Sequence, residues 1–428
     1  MRLAIIADDL TGANDSGVQL AKFGLKTSVL FGLDKRTVHD SEAVVFDTDS
    51  RSIDKNKAYD MVFEVTEFLK EQSFQNIYKK IDSTMRGNIG AEIDALYDSL
   101  KPDFVFVVPG YPKNGRTVVN GYHFLNGVPL HETEIANDPK TPVTVSHIPT
   151  LLKQQTNKSV GLIDKNLLHK DEEVFQRELE TFAKDHVTYI VVDSETEEDL
   201  SRILHQTKDS NFDIAWVGSA GLANHLPSYY GIEEKEELLT IPKSNTPVLT
   251  VVGSVNKNSR HQLDVVLQKD NVFGIKVESY KAVSCDEDRR LEVSNVLNEA
   301  RVAAGKGFDV VIYSTGTPSD IEKARRTGEN NGFTHTETSN EIVKILGEIS
   351  AGLIEEKLFK GVVMTGGDTA KQVCELWNVK GFYLHDELEI GVPISTFIGN
   401  EEIFVITKAG GFGKETVFVH AIDKLKGV

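Results

Sequence analysis

A chain of 428 residues is too long for one ordinary core, so its length implies two or three domains, each able to bury a sizeable interior. With 40% hydrophobic and 26% charged residues the composition is that of a globular protein, and no apolar run approaches the roughly 18–20 residues that cross a bilayer, which argues against a membrane partner. A net charge of −18 argues against a nucleic-acid partner, whose phosphates require clustered cations, yet it permits a small anionic ligand held by a few local groups.

The chain opens with a short apolar strand, Leu3–Ala7, that runs into Asp8 and Asp9 and then into a helical pattern from Leu10. That opening lacks the basic flank and cleavage site of a signal peptide, so a cytoplasmic location is expected. Ala43–Phe46 reads as a strand ending at Asp47-Thr48-Asp49-Ser50-Arg51, and Ala58–Leu69 as a helix. Asn76–Ile81 is a strand ending in Asp82-Ser83-Thr84, Ile89–Leu100 a helix stopped by Lys101-Pro102, and Phe104–Val108 a strand before the Pro/Gly-rich loop Pro109–Gly115. Val187–Val192 and Ile214–Val217 read as further strands, the latter followed by the turn Gly218–Gly221. The charged, proline-flanked stretch 231–246 is the linker, with the boundary at Leu238–Asn245 and domains spanning 1–240 and 246–428. Beyond it come strands Pro247–Val252, Val310–Tyr313, Gly361–Met364 and Ile403–Ile406, and helix Ala370–Leu376. Strands alternating with helices predict an α/β fold of two domains, each with a mostly parallel sheet flanked by helices. Cys285 and Cys374 lack metal-ligand spacing and read as reduced thiols.

Three strand ends of the first half carry polar clusters: Asp8/Asp9, Asp47–Arg51 and Lys80–Arg86. In a parallel sheet they converge on one edge, where ligands of such sheets bind. Arg51 and Arg86 suit a bidentate grip on a carboxylate, Lys80 acts as a point charge, and the hydroxyls suit a small polyol acid. Asp82 and Ser83 can instead cap the next helix. For Asp8 and Asp9 two uses are open, a general base for a substrate hydroxyl or an oxygen ligand for Mg²⁺, beside a plain capping role. An aspartyl phosphatase is ruled out, because its second carboxylate falls two residues after the first, where this chain has Leu10 or Thr11. Asn114 and Arg116 are placed to reach a ligand, with a surface turn as the equal alternative; His123 and His131 stand alone and read as structural.

The second half has neither a P-loop nor a Gly-x-Gly-x-x-Gly turn after a strand. It has Thr365-Gly366-Gly367-Asp368-Thr369 between a strand and a helix, where two glycines and a helix N-terminus suit an anion. A second glycine loop, Lys408–Gly413, contains Gly410 and Gly411, and Gly253–Asn256 closes the domain's first strand in the same manner. Asp368 is placed to meet Mg²⁺ or a ribose hydroxyl.

With these segments assembled the chain resembles the four-carbon acid sugar kinases, which phosphorylate D-threonate, D-erythronate or 3-oxo-tetronate. The resemblance rests on Ile6–Ala13, Asp47–Arg51, Lys80–Gly87, Gly253-Ser254, Thr365–Thr369 and Gly410–Gly413, in order over nearly the whole chain. It implies a sugar acid bound by the N-terminal domain, ATP with Mg²⁺ bound by the C-terminal domain, and an active site in the cleft between them. It puts Asp9, Arg51, Lys80, Ile81, Asp82, Ser83 and Thr84 on the substrate, with Arg86 beside them, and Ser254, Gly366, Gly367, Asp368, Thr369, Gly410 and Gly411 on the nucleotide. Asp9, or Asp8, would orient or deprotonate the attacking hydroxyl. One departure is Val255-Asn256, where the family pattern has a small polar or Cys residue after the equivalent of Ser254. A binding-only sugar-acid sensor and a nicotinamide-dependent dehydrogenase are the alternatives, and a homodimer is the default assembly.

Overall fold

The computed structural model describes residues 2–138, 140–234 and 239–428. The chain divides into two units, Met1–Glu236 and Glu237–Val428. Residues 235–238, within the expected linker, lie outside the described residues.

The strands of the first unit are β1 (Leu3–Ala7), β2 (Thr27–Leu30), β3 (Ala43–Asp47), β4 (Asn76–Lys80), β5 (Phe104–Val108), β6 (Arg116–Val119), β7 (Tyr122–Leu125), β8 (Val128–Pro129), β9 (Val160–Ile163), β10 (Tyr189–Val192) and β11 (Ile214–Gly218). Eight of them pair in the order β2-β3-β1-β4-β11-β5-β10-β9, every pairing parallel. Helices cover both faces of such a sheet, which is why β1, β3, β5 and β10 are buried along their whole length and read as continuous apolar runs. The register aligns Ala7 with Asp47 on one side and Lys80 on the other, so the three polar strand ends emerge level at one edge. From β1 the chain moves to β2 and β3 on one side and then crosses to β4 on the other, which makes β1 the switch point where such sheets bind ligands.

The loop after β5 is not a bare turn. It continues into a separate antiparallel meander, β6-β7-β8, that sequence periodicity did not reveal.

The second unit contains β12 (Val248–Val252), β13 (Val272–Val277), β14 (Asp309–Ser314), β15 (Gly361–Thr365), β16 (Gly381–Glu389), β17 (Val392–Phe397) and β18 (Asn400–Lys408). Strands β13-β14-β12-β15-β18 are parallel, and β17 and β16 extend the sheet antiparallel from β18. Val252 is level with Tyr313 and Thr365, and Thr365 with Lys408, so the glycine loops also emerge at one edge. Val248, Val252, Val311, Val363 and Ile406 of the sheet pack with Leu263, Val266, Phe418 and Ile422 of the helices in one apolar core. Among the described residues no helix is long and apolar enough to cross a membrane.

Candidate active site

At the end of β1 the two aspartates take different environments. Asp8 is buried, its side chain 1% exposed, and both its oxygens receive Arg51: Nε at 2.7 Å and Nη2 at 3.1 Å. Asp9 is 24% exposed, accepts Arg51 Nη1 at 2.7 Å, and caps helix Leu10–Lys22 by accepting the Gly12 amide at 2.8 Å. Burial alone would raise the Asp8 pKa, but Arg51, with Lys80 and Lys79 behind it, holds it below the usual carboxylate range. Asp8 is therefore a fixed anion that orients Arg51, and Asp9 is the carboxylate a ligand can reach.

Arg51 owes its place to its loop. Thr48 donates its amide and hydroxyl to the Ala7 carbonyl at 2.9 and 2.8 Å, and the Arg51 amide donates to the Asp8 carbonyl at 3.3 Å. Asn88 ties the loop down by donating to the Ser50 and Ile53 carbonyls, both at 2.9 Å. Gly87 lies so close that a side chain there would meet the Arg51 carbonyl.

Asp82 stands 3.7 Å from Arg51 Nη2 and accepts a bidentate pair from Arg86, at 2.8 and 3.0 Å. Thr84 adds its hydroxyl. Burial opposes ionisation of Asp82, but the two arginines and Thr84 outweigh it and its pKa is strongly lowered. Arg86 also reaches Asp138 at 3.2 Å. The fold thus spends the forks of Arg51 and Arg86 on its own aspartates, whereas sequence alone assigned them to a substrate carboxylate.

Lys80 is buried and donates to the Ile81 carbonyl at 3.0 Å; Ile81 itself is fully buried and contributes backbone only. The Lys80 ammonium lies where a Gly12 side chain would be, so Gly12 makes its room. Ser83 is half-buried and its hydroxyl finds no partner among the described residues. Sequence reasoning missed the layer beneath: Lys79 pairs with Glu92 at 2.7 Å, both fully enclosed, and donates to the Lys80 carbonyl at 2.9 Å. Burial raises the Glu92 pKa against the pull of Lys79. Lys79 inside the strand and Glu92 on the buried face of helix Ile89–Leu100 were the available signal.

In the second unit a cavity of about 690 Å³ opens at the sheet edge. Ser254, Gly366, Asp368 and Thr369 line it, with Val255 and Asn256 of the departing loop. Gly367, Gly410 and Gly411 do not line it. Gly410 acts from behind: a side chain there would meet the Ser254 hydroxyl, and its carbonyl accepts Ser259 at 2.7 Å. Gly366 has φ +99°, a conformation that glycine tolerates, and starts helix Gly367–Leu376. Asp368 is exposed beside that helix start and has no protein partner among the described residues. A further wall comes from helices Pro318–Asn330 and His335–Glu355, where the aliphatic Ile321, Ala324, Ile342 and Val343 stand among Arg325, His335, Thr338 and Ser339, and it was missed in the sequence. Aliphatic and polar groups lining one cavity suit a flat apolar ring joined to an anion. Lys408, at the end of β18, is buried and donates to Ser259 at 3.0 Å and to the Gly410 carbonyl at 3.3 Å; burial pushes its pKa down to about 8.

The geometry defines a pair of small-molecule sites, one per unit: an acid-rich, arginine-braced site and a glycine-lined cavity. Comparison with known proteins describes each unit. A family model described as a sugar-binding N-terminal domain matches residues 3–226, and one described as a nucleotide-binding C-terminal domain matches 249–418. The chain is 30% identical over 425 residues to the D-threonate kinase of Salmonella typhimurium, covering 99% of this chain and 98% of that one. It is 29% identical over 448 residues to the D-erythronate kinase of Heliobacterium modesticaldum, covering 99% and 97%, and 28% identical over 433 residues to the 3-oxo-tetronate kinase of Brucella melitensis, covering 98% and 95%. The crystal structure of Haemophilus influenzae protein HI1011 superposes with a TM-score of 0.77 at 26% identity over 98% of this chain and 99% of that one. The chain belongs to the four-carbon acid sugar kinase family and is a kinase of that family.

Proposed function

We propose that this protein transfers the γ-phosphoryl group of ATP to the terminal hydroxyl of a four-carbon sugar acid: D-threonate, D-erythronate or 3-oxo-tetronate. The observation that carries the reading is Asp9, an accessible carboxylate fixed at both oxygens by Gly12 and Arg51 beside a buried, charge-balanced cluster. Phosphoryl transfer asks a protein mainly for positioning and charge. Asp9 accepts the hydrogen of the attacking hydroxyl and aims its oxygen, and Arg51 holds Asp9 in place. Ser83 and Thr84 meet substrate hydroxyls, and Lys80 lends positive charge. In the second unit the aliphatic wall takes the adenine, and Ser254, Thr369 and the helix start at Gly366 take phosphate oxygens. An exposed carboxylate beside a triphosphate is repulsive unless a cation lies between them, so Asp368 fits a Mg²⁺ ion, which would neutralise phosphate charge when bound. ATP supply and reduced thiols suit a cytoplasmic enzyme.

The test is ADP release measured against the three acids and longer aldonates. One of the four-carbon acids should give turnover that Asp9→Asn lowers by about 10²–10⁴-fold, with KM for ATP changed less than about twofold. Binding of acid and nucleotide without ADP release would make the protein a sensor and sink the kinase reading.

A further inference from the structure

The meander β6-β7-β8 carries polar groups without hydrogen-bond partners among the described residues. Strand register sets Val118 opposite His123 and Arg116 opposite Leu125, and side chains alternate along a strand, so these four residues share one face. Val118, His123 and Leu125 are buried. Val118 and Ser194 exchange two backbone hydrogen bonds of 3.0 Å, which hold the hairpin at the end of β10 on the main sheet's ligand-binding edge. On that face His123 is 0% exposed, yet neither ring nitrogen has a hydrogen-bond partner among the described residues. Arg116 gives Nη1 to the Asn114 carbonyl, while its buried Nε has no partner among the described residues.

Buried polar groups without partners are costly and uncommon, and a cluster of them beside a binding edge calls for a partner from outside the chain. The neighbouring charges indicate which one. Asp82, Tyr111 and Glu134 attract Arg116 and Arg86 repels it, and Asp82 also acts on His123, so the hairpin face lies within electrostatic range of the Asp82–Arg86 pair. Arg51 is committed to Asp8 and Asp9, and Arg86 to Asp82 and Asp138. Arg116 forms no ion pair with any described carboxylate. Its Nε–Nη2 edge is the one that matches the two oxygens of a carboxylate.

We infer that Arg116 is the carboxylate-binding residue of the sugar-acid site, forking onto the acid group through its Nε–Nη2 edge, with His123 as the neutral polar floor beside it. The inference rests on the kinase reading above and gives it a direction. The substrate's terminal hydroxyl lies at Asp9, its middle hydroxyls pass Ser83 and Thr84, and its acid end lies at the hairpin. Burial pushes the His123 pKa down to about 4, so the imidazole is uncharged at neutral pH and leaves Arg116 the cation there.

The experiment compares the full-length protein with Arg116→Gln and Arg116→Lys, using each acid and its neutral polyol counterpart, threitol or erythritol. Arg116→Gln should raise KM for the acid by about 10–100-fold, the range for a lost hydrogen-bonded charge pair. It should leave KM for ATP unchanged, which also shows that the variant is folded. The preference for acid over polyol should therefore collapse. Arg116→Lys should recover only part of it, since a point charge lacks the fork. A wild-type acid-over-polyol ratio in Arg116→Gln overturns the inference and leaves the kinase reading standing. If the wild-type protein neither binds nor phosphorylates any four-carbon acid, both fall together.

Discussion

At the residue scale the chemistry turns on how neighbouring charges divide their labour. Asp8 and Asp9 are adjacent in sequence, and their place at a strand end is legible because an apolar run stops there. What separates them is Arg51, more than forty residues away, whose fork closes on Asp8 and leaves Asp9 only one nitrogen. No spacing rule reveals that, because it depends on the β1–β3 register and on Asn88 holding the intervening loop. Lys408 offers a direct check of a buried charge. Its folded pKa of about 8 lies below the ordinary lysine value of about 10.4, so between those values the unfolded chain binds more protons. Stability from this group therefore rises with pH across that window, and the penalty of burying the ammonium is fully present below about 8. Urea unfolding at pH 7.5 and pH 10 should show wild type gaining on Lys408→Met by about 2–3 kcal/mol, roughly 1.4 kcal/mol for each unit of displacement. An equal response of the two proteins would mean that Lys408 is not desolvated in the fold.

At the element scale, the strands that carry site residues were legible because both faces of a parallel sheet are covered, which turns each strand into a short apolar run. β1 and β5 have the bounds expected from the sequence, and β3, β4, β12 and β15 differ by a residue. The hairpin of β6 and β7 was not legible. Its strands have four residues each, Tyr122 is exposed, and Arg116 and His123 interrupt the apolar alternation on the inward face. The same polar residues that hid the hairpin give it a function. The turn at Gly366 was legible as a pair of glycines, and the fold supplies the reason for the first of them: φ +99° at the residue capping helix Gly367–Leu376. An alanine there costs on the order of 1–3 kcal/mol or shifts the helix start away from the cavity. Gly366→Ala should therefore raise KM for ATP about tenfold or more, while KM for the sugar acid, whose residues lie in the other unit, stays put. Steady-state kinetics with each substrate varied in turn reads both numbers, and an unchanged KM for ATP would remove the helix N-terminus from nucleotide binding.

At the scale of the whole molecule, each unit brings its parallel strand ends level at one edge, where sheets of this kind bind ligands. Ligand binding stabilises what it touches by mass action, worth about 2.7 kcal/mol at a hundredfold excess over Kd. Amide exchange slows where local opening becomes harder, and loops at strand ends open most easily. The two ligands should therefore leave separate footprints. A sugar acid alone should protect residues 9–12, 48–51 and 82–88, and, if Arg116 takes the carboxylate, residues 116–123. ATP alone should protect 253–256, 314–315 and 366–369, the segments that supply cavity-lining residues. Hydrogen–deuterium exchange read by mass spectrometry resolves segments of this length. Protection of 82–88 by ATP with none at 366–369 would reverse the assignment of ligands to units. Protection of 9–12 by the acid without 116–123 would keep the assignment but place the acid group away from the hairpin.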